Sequence, residues 1–218
     1  MATPILEFFH VTGTSRKFRL NDVSFQLPAG YLMGLAGKNG AGKTTLLDYI
    51  VSPKKQYTGT IRLMGKDIWE NHTGCMEHIG FVSEKNPFFK EYSAKYNANL
   101  LGMLYREFDP ELFLNAMKKM ELSVGKAVGE MSRGELMRFQ TAFAMAHHAR
   151  LYLLDEATAG LDPVFRIDYF RMLQEIITDE KTSVLMVTHL SEELERKMDY
   201  VGILEHGELI SFGENQPE

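Results

Sequence analysis

The chain has 218 residues, enough for one α/β domain with a large core and a small inserted subdomain. A formal net charge of -5 and a pI near 5.8 argue against recruitment of nucleic acid by bulk electrostatics, and the single cysteine, Cys75, excludes an intrachain disulfide. No run approaches the ~18 consecutive apolar residues of a membrane span, and Met1 to His10 lacks the basic flank and apolar core of a signal peptide, so a soluble, cytoplasmic chain is expected.

Taken in order, Ile5 to Val11 and Val23 to Leu27 alternate as antiparallel strands do, and Gly13 to Lys17 between them reads as a polar turn at a sheet edge. Tyr31 to Ala36 is a buried strand, Thr45 to Val51 a helix, and Thr60 to Leu63 a strand closed by a turn at Gly65. Cys75 reads as an ordinary small side chain in a helix, and Ile79 to Val82 as a short strand ending at Ser83-Glu84. From residue 86 to about 149 the strand pattern stops. Helical spacing of Ala98, Leu101, Leu104 and Tyr105, then of Leu112, Phe113, Ala116, Met117 and Met120, predicts an all-helical insert there. Strands return at Leu151 to Leu154 and Ser183 to Val187, with helices expected over about 164–178 and 192–198 and two closing strands. This order predicts one α/β domain over residues 1–218: a mostly parallel sheet covered on both faces, an antiparallel β edge and an inserted helical subdomain.

Gly37-Lys38-Asn39-Gly40-Ala41-Gly42-Lys43-Thr44-Thr45 fits the phosphate-binding pattern G-x-x-x-x-G-K-[ST] between a strand and a helix. Gly37, Gly40 and Gly42 let the backbone curl so that N–H groups, including those of Asn39, Ala41 and Thr45, surround an anion at the positive end of a helix dipole. Lys43 reaches the phosphates as a point charge, and the Thr44 hydroxyl offers Mg²⁺ a hard oxygen. Asp155-Glu156 follows a four-residue apolar strand, which suits a first carboxylate that orders Mg²⁺ and a second that takes a proton from attacking water. Ligands of open parallel sheets sit at the carboxyl ends of strands, so Glu84, Asp155, Glu156 and His189 are expected to converge on the phosphate loop.

With these motifs in hand, nearly the whole chain resembles the nucleotide-binding subunit of an ABC transporter. The resemblance rests on the Walker A loop Gly37 to Thr44, the Walker B strand Leu151 to Glu156, the D-loop Ala159-Gly160-Leu161-Asp162, His189 after Val187-Thr188, and Met131-Ser132-Arg133-Gly134-Glu135 at the signature position. It implies a P-loop ATPase fold of two lobes and Mg²⁺-dependent ATP hydrolysis. It also implies a head-to-tail dimer, with a second copy or another ATP-binding subunit, in which Ser132 and Gly134 hold the ATP of the opposite chain. The partner implied is an integral-membrane permease at the inner face of the cell membrane, with export the direction that the short chain and its variants resemble most.

Where the chain departs from the family pattern, two readings stand side by side. Arg133 and Glu135 replace Gly and Gln of the signature; Ser132 and Glu135 also form a capping box, S-x-x-E, and Arg133 either strengthens nucleotide contact or points to solvent. Glu84 stands where Gln is usual, and as a carboxylate it is a harder Mg²⁺ ligand that repels a metal-free triphosphate. His189 is a polar cap at a strand end or a switch touching the γ-phosphate. No adenine-stacking ring is evident, Phe18 being the nearest. Phe88, Phe89, Tyr92 and Tyr96 are either core or the anchors of a groove for a cytoplasmic helix of the permease. The alternative function, a non-transport ABC ATPase of the translation-factor or DNA-repair type, lacks the second cassette or long coiled coil it needs.

Overall fold

The computed structural model describes residues 4–15, 18–158, 161–188 and 197–215, with the backbone alone at Ser15 and Phe18. It contains two sheets. Strand β1 (Leu6–Ser15) pairs antiparallel with β2 (Phe18–Leu27) on one side and β4 (Tyr57–Leu63) on the other, and the short β5 (Lys66–Asp67) completes the order β2-β1-β4-β5. The larger sheet has the order β10-β9-β3-β8-β7-β6, built from β3 (Leu32–Ala36), β6 (Ile79–Val82), β7 (Leu151–Asp155), β8 (Ser183–Val187), β9 (Tyr200–Glu205) and β10 (Glu208–Glu214). Its pairings are parallel from β6 to β9, and only β10 runs antiparallel. The fold is therefore α/β as expected, with one relocation. The N-terminal strands form a sheet of their own, and the antiparallel edge of the parallel sheet is the closing hairpin.

The stretch expected to turn at Gly13 to Lys17 is mostly strand, since β1 runs to Ser15 and β2 starts at Phe18. Val11, Thr12 and Thr14 favour an extended chain, and Gly13 serves close approach: a Cβ there would lie 2.5 Å from the Tyr49 hydroxyl and 2.6 Å from the Gln56 carbonyl oxygen. The strand is bent by a register shift between Phe8 and Val11, where His10 takes a φ of 49°.

Helix α1 (Lys43–Val51) packs Leu46, Leu47 and Ile50 between the two sheets, against Leu35, Leu153 and Val187. The short α2 (His72–Met76) buries Cys75 in the same core. Between β6 and β7 come α3 (Ala94–Gly102), α4 (Pro110–Lys119), a 3-10 turn at Val128–Glu130 and α5 (Arg133–Ala146). Sequence-local chemistry starts each helix: the Ser93 hydroxyl accepts from the Tyr96 N–H, and Asp109 accepts from Glu111 and Leu112 with Pro110 in the first turn. These helices enclose a core of Phe88, Phe113, Met117, Phe139 and Phe143. Phe88 is buried, with ring centroids 4.6 Å from Phe139 and 5.1 Å from Phe143, whereas Phe89, Tyr92 and Tyr96 are 43%, 47% and 49% exposed. The aromatic cluster thus divides, because Phe88 turns inward and its neighbour turns out.

Helices α5 and α6 (Pro163–Ile177) cover the other face of the parallel sheet, where Met137, Tyr169, Phe170 and Leu173 meet Val82, Leu154, Val184 and Met186. Gly80 permits this approach, since a Cβ on it would lie 2.5 Å from that of Ala144. Asp162 caps α6 by accepting from the Phe165 N–H. His189, Ala159, Gly160 and most of the helix expected over 192–198 lie outside the described residues. No helix among the described residues is long and apolar enough to cross a membrane.

Candidate nucleotide site

The parallel register sets the site. Leu35 of β3 lies level with Val187 of β8, and Val187 with Asp155 of β7, so the carboxyl ends of three strands open toward the loop that follows Ala36. In that loop Gly42 takes a φ of 107°, a conformation costly for any residue with a Cβ. As the N-cap of α1 it also provides no side-chain acceptor, so the first-turn N–H groups of the helix have no cap of their own. They face a cavity of about 240 Å³ lined by Asn39, Gly40, Gly42, Lys43, Thr44, Thr45 and Glu156. An uncapped helix start beside such a cavity suits an anion.

Lys43 is 6% exposed, and its Nζ donates to the carbonyl oxygens of Gly37 at 2.6 Å and Lys38 at 3.1 Å. The ammonium is thereby held inside the loop, ready to exchange carbonyl partners for phosphate oxygens. The Thr44 hydroxyl lies 3.3 Å from both carboxylate oxygens of Asp155. One hydroxyl and one carboxylate make a hard oxygen pair of the kind Mg²⁺ uses alongside phosphates and water, so the residues present fit that ion. Burial raises the Asp155 carboxyl above the usual range, the Thr44 hydrogen bond opposes this, Glu156 and Asp48 add to it, and Lys43 opposes. Such a crowd of carboxylates is relieved by a cation.

Glu156 borders the same cavity with a φ of 51°, its N–H donating to the Val187 carbonyl at 3.1 Å. A non-glycine residue in the left-handed region just past a strand end is uncommon, and here it turns the chain away from the extended course of β7.

At the start of α5, outside the residues that line this cavity, Ser132 and Glu135 form the full capping box of the helix: Glu135 N–H to Ser132 Oγ is 3.2 Å, and Ser132 N–H to Glu135 Oε2 is 2.7 Å. Lys126 bonds both Glu135 oxygens, at 2.9 and 2.8 Å, and these contacts hold that carboxyl below its usual range. Gly134 is buried against Phe165, whose ring carbons would lie 2.8 Å from an added Cβ. Arg133 neither points to solvent nor reaches the phosphate loop. Its Nη1 pairs with Glu84 Oε1 at 3.0 Å and its Nη2 donates to the Glu156 carbonyl at 3.1 Å, so Glu84 is engaged by Arg133 instead of by Thr44 or Asp155.

Sequence reasoning missed Gln140. Buried in the middle of α5, its amide accepts from the Ser83 N–H at 3.1 Å and donates to the Ser83 carbonyl at 2.9 Å, one residue before Glu84. The available signal was a lone amide between the rings of Phe139 and Phe143.

A strand, a glycine loop and a helix start around a buried lysine, with a carboxylate at the end of β7, define a P-loop nucleotide-binding protein. Comparison with known proteins carries this further. Residues 20–159 match the family described as ABC transporter, and the chain belongs to it. It is an ATP-binding cassette of that family. The ABC transporter ATP-binding protein YtrB of Bacillus subtilis (strain 168) is 32% identical over 192 residues, covering 88% of this chain and 65% of the relative. The Nod factor export ATP-binding protein I of Rhizobium leguminosarum bv. viciae is 31% identical over 202 residues, covering 90% and 65%. The chain therefore spans about two thirds of the length of these curated relatives. In fold it is similar to an ATP-binding cassette solved as a dimer in a post-hydrolysis state with ADP and Pi, at a TM-score of 0.83 and 21% identity over 97% of this chain and 99% of the other.

Proposed function

We propose that the chain binds and hydrolyses MgATP as a head-to-tail dimer and drives transport, in the direction of export, through a separate membrane permease at the cytoplasmic face. The observation that carries the reading is the meeting of Thr44 and Asp155 at 3.3 Å beside the cavity that Lys43 and Glu156 line. In this reading Gly37, Asn39, Gly40, Ala41, Gly42 and Thr45 cradle the phosphates with backbone N–H groups, Lys43 neutralises them, and Thr44, Asp155 and Glu84 are the metal's ligands. Mg²⁺, when bound, spreads charge away from the transferring phosphoryl group and clamps its oxygens. Glu156 receives the proton of the attacking water, and His189 contacts the γ-phosphate. Ser132 and Gly134, at the start of α5, serve the ATP of the opposite chain through the helix dipole.

Residues 86–149 act as the helical lobe of the cassette. Its surface supports a permease contact: Phe89, Tyr92 and Tyr96 form an exposed row, with centroids 6.1 Å and 4.4 Å apart, near a groove of about 290 Å³ walled by Phe81, Phe88, Leu104 and Tyr105. Exposed rings beside an apolar groove are anchors suited to a short helix. Export is favoured by the Nod factor export relative.

The test uses the Glu156→Gln chain, in which ATP persists. Sedimentation with ATP is expected to show a dimer, and Ser132→Arg in that background a monomer; a monomer at every nucleotide concentration would overturn the sandwich.

A further inference from the structure

The reading above gives no task to Arg133. Yet its guanidinium joins three segments that are distant in sequence: the start of α5, the second residue after β6, and the residue after β7. It is only 34% exposed, and its Nε is buried with no hydrogen-bond partner. Its Glu84 partner is 62% exposed, so the pair is partly screened by solvent.

We infer that Arg133 is a positioning residue with two separable tasks at the nucleotide site: its charge neutralises Glu84, and its second nitrogen fixes the backbone of Glu156.

Counting charge supports the first task. Asp155, bonded to Thr44, and Glu156, which lines the same cavity, already place two carboxylates at the phosphate site beside the buried Lys43. Glu84 adds another carboxylate just past the end of β6, next to Lys85, whose charge is felt by Asp48. A triphosphate entering beside so many negative groups is repelled unless Glu84 is balanced, and Arg133 at 3.0 Å is the balance. Glutamate after β6 and arginine at the start of α5 are then one paired solution instead of two independent oddities. Geometry supports the second task. Glu156 holds a left-handed φ of 51°, and its carbonyl is fixed by Arg133 Nη2 while its N–H is fixed by Val187. Two anchors on one peptide-length segment set the direction from which the Glu156 carboxylate leaves the chain. The Gln140 amide pins Ser83 from the same helix, so α5 reaches this exit of β6 at two places.

This inference rests on the nucleotide reading, and the experiment separates the failure of each. Binding of a non-hydrolysable ATP analogue is measured in EDTA, where Glu84 has no metal to hold, and turnover is measured separately with Mg²⁺. Arg133→Gln is expected to weaken metal-free binding about fivefold, the scale of one partly screened charge. Glu84→Gln alone is expected to bind as tightly as the parent or more tightly, and Arg133→Gln with Glu84→Gln to return within about twofold of it. Arg133→Lys keeps the charge but offers a single nitrogen; it is expected to retain affinity while kcat falls about tenfold. A double variant as weak as Arg133→Gln would overturn the charge balance. Weaker metal-free binding by Glu84→Gln alone would do the same; Glu84 is 62% exposed, so this variant keeps the test open if Arg133→Gln fails to fold. Full turnover in Arg133→Lys would overturn the tie to Glu156. A parent chain that binds no analogue, with or without Mg²⁺, would instead remove the nucleotide reading beneath both.

Discussion

The phosphate loop and the start of α5 are made of different materials. On the phosphate-loop side, the groups aimed at the cavity are backbone N–H groups at an uncapped helix start, with Gly42 at a φ of 107° and one lysine folded inside. On the α5 side, the work is done by paired side chains: Ser132 with Glu135, Glu135 with Lys126, Arg133 with Glu84, and Gln140 with the Ser83 backbone. A backbone cradle has no substitute for its glycines, because the shape itself is the ligand set. Paired side chains are interchangeable in pairs, since the requirement lies in the sum of charges and hydrogen bonds. The phosphate loop carries its full pattern, while Arg133 and Glu135 of α5 and Glu84 after β6 depart from the family's usual residues.

The sharpest way to probe the contrast is at Glu156, which borders the cradle through its side chain and the paired side through its carbonyl. Glu156→Gln keeps the backbone and is expected to lower turnover ~10² to 10⁴-fold, the worth of general-base assistance, while ATP still binds; phosphate release and equilibrium nucleotide binding measured on one preparation decide it. Next in size, Gln140→Met leaves the Ser83 N–H and carbonyl without their partner in a buried place. At about 1–3 kcal/mol for each group orphaned, with partial recovery by relaxation, a loss of roughly 2–4 kcal/mol in urea unfolding is expected. A loss below about 0.5 kcal/mol would show that this grip on the backbone is weak.

A third effect depends on pH. Burial holds the His147 imidazole down to about 4, against an ordinary value of 6.5, while its Nδ1 lies 3.2 Å from the Glu77 carbonyl oxygen and its ring stacks on Tyr105 at 4.0 Å. Below about pH 6.5 the unfolded chain takes up a proton that the folded chain refuses. This contribution to stability is therefore complete above about 6.5 and is lost as pH falls to about 4, by up to roughly 3 kcal/mol. Unfolding midpoints at pH 7 and 4.5 are expected to converge in His147→Gln relative to the parent chain. The smallest effect belongs to the exposed rings, which lie in neither the phosphate loop nor α5. Phe89→Ala with Tyr92→Ala is expected to move stability by no more than about 0.5 kcal/mol, as for other exposed positions.

What the sequence made legible follows the same division. The phosphate loop and Asp155-Glu156 could be read because their chemistry is contiguous: a few adjacent residues between a strand and a helix specify the geometry. Ile79–Val82 and Ser183–Val187 were readable as strands because short apolar runs buried on both faces leave little choice. The partners of Arg133 and Gln140 could not be read, because they depend on how α5 sits against β6, and Gln140 and Ser83 are 57 residues apart. The inward turn of Phe88 and the outward turn of Phe89 were hidden for the same reason. At Gly13 the error was local: a glycine that admits the Tyr49 ring was taken for a turn.

Helix α5 has 14 residues, so it is a rod about 21 Å long, and the Gln140 grip on Ser83 fastens it near its middle. A second tie lies at its C-terminal end, where the Ala146 carbonyl accepts from the Asp109 N–H at 2.7 Å. Sliding along its axis would break the amide pair, whereas swinging about it would not. Arg133 sits seven residues from Gln140, an arm of about 10 Å, so a swing of roughly 10° carries it about 2 Å. That travel is enough to part Arg133 from both Glu84 and the Glu156 carbonyl. Arg133, the first residue of the rod, would therefore feel any tilt about Ser83 more than the residues at its middle do.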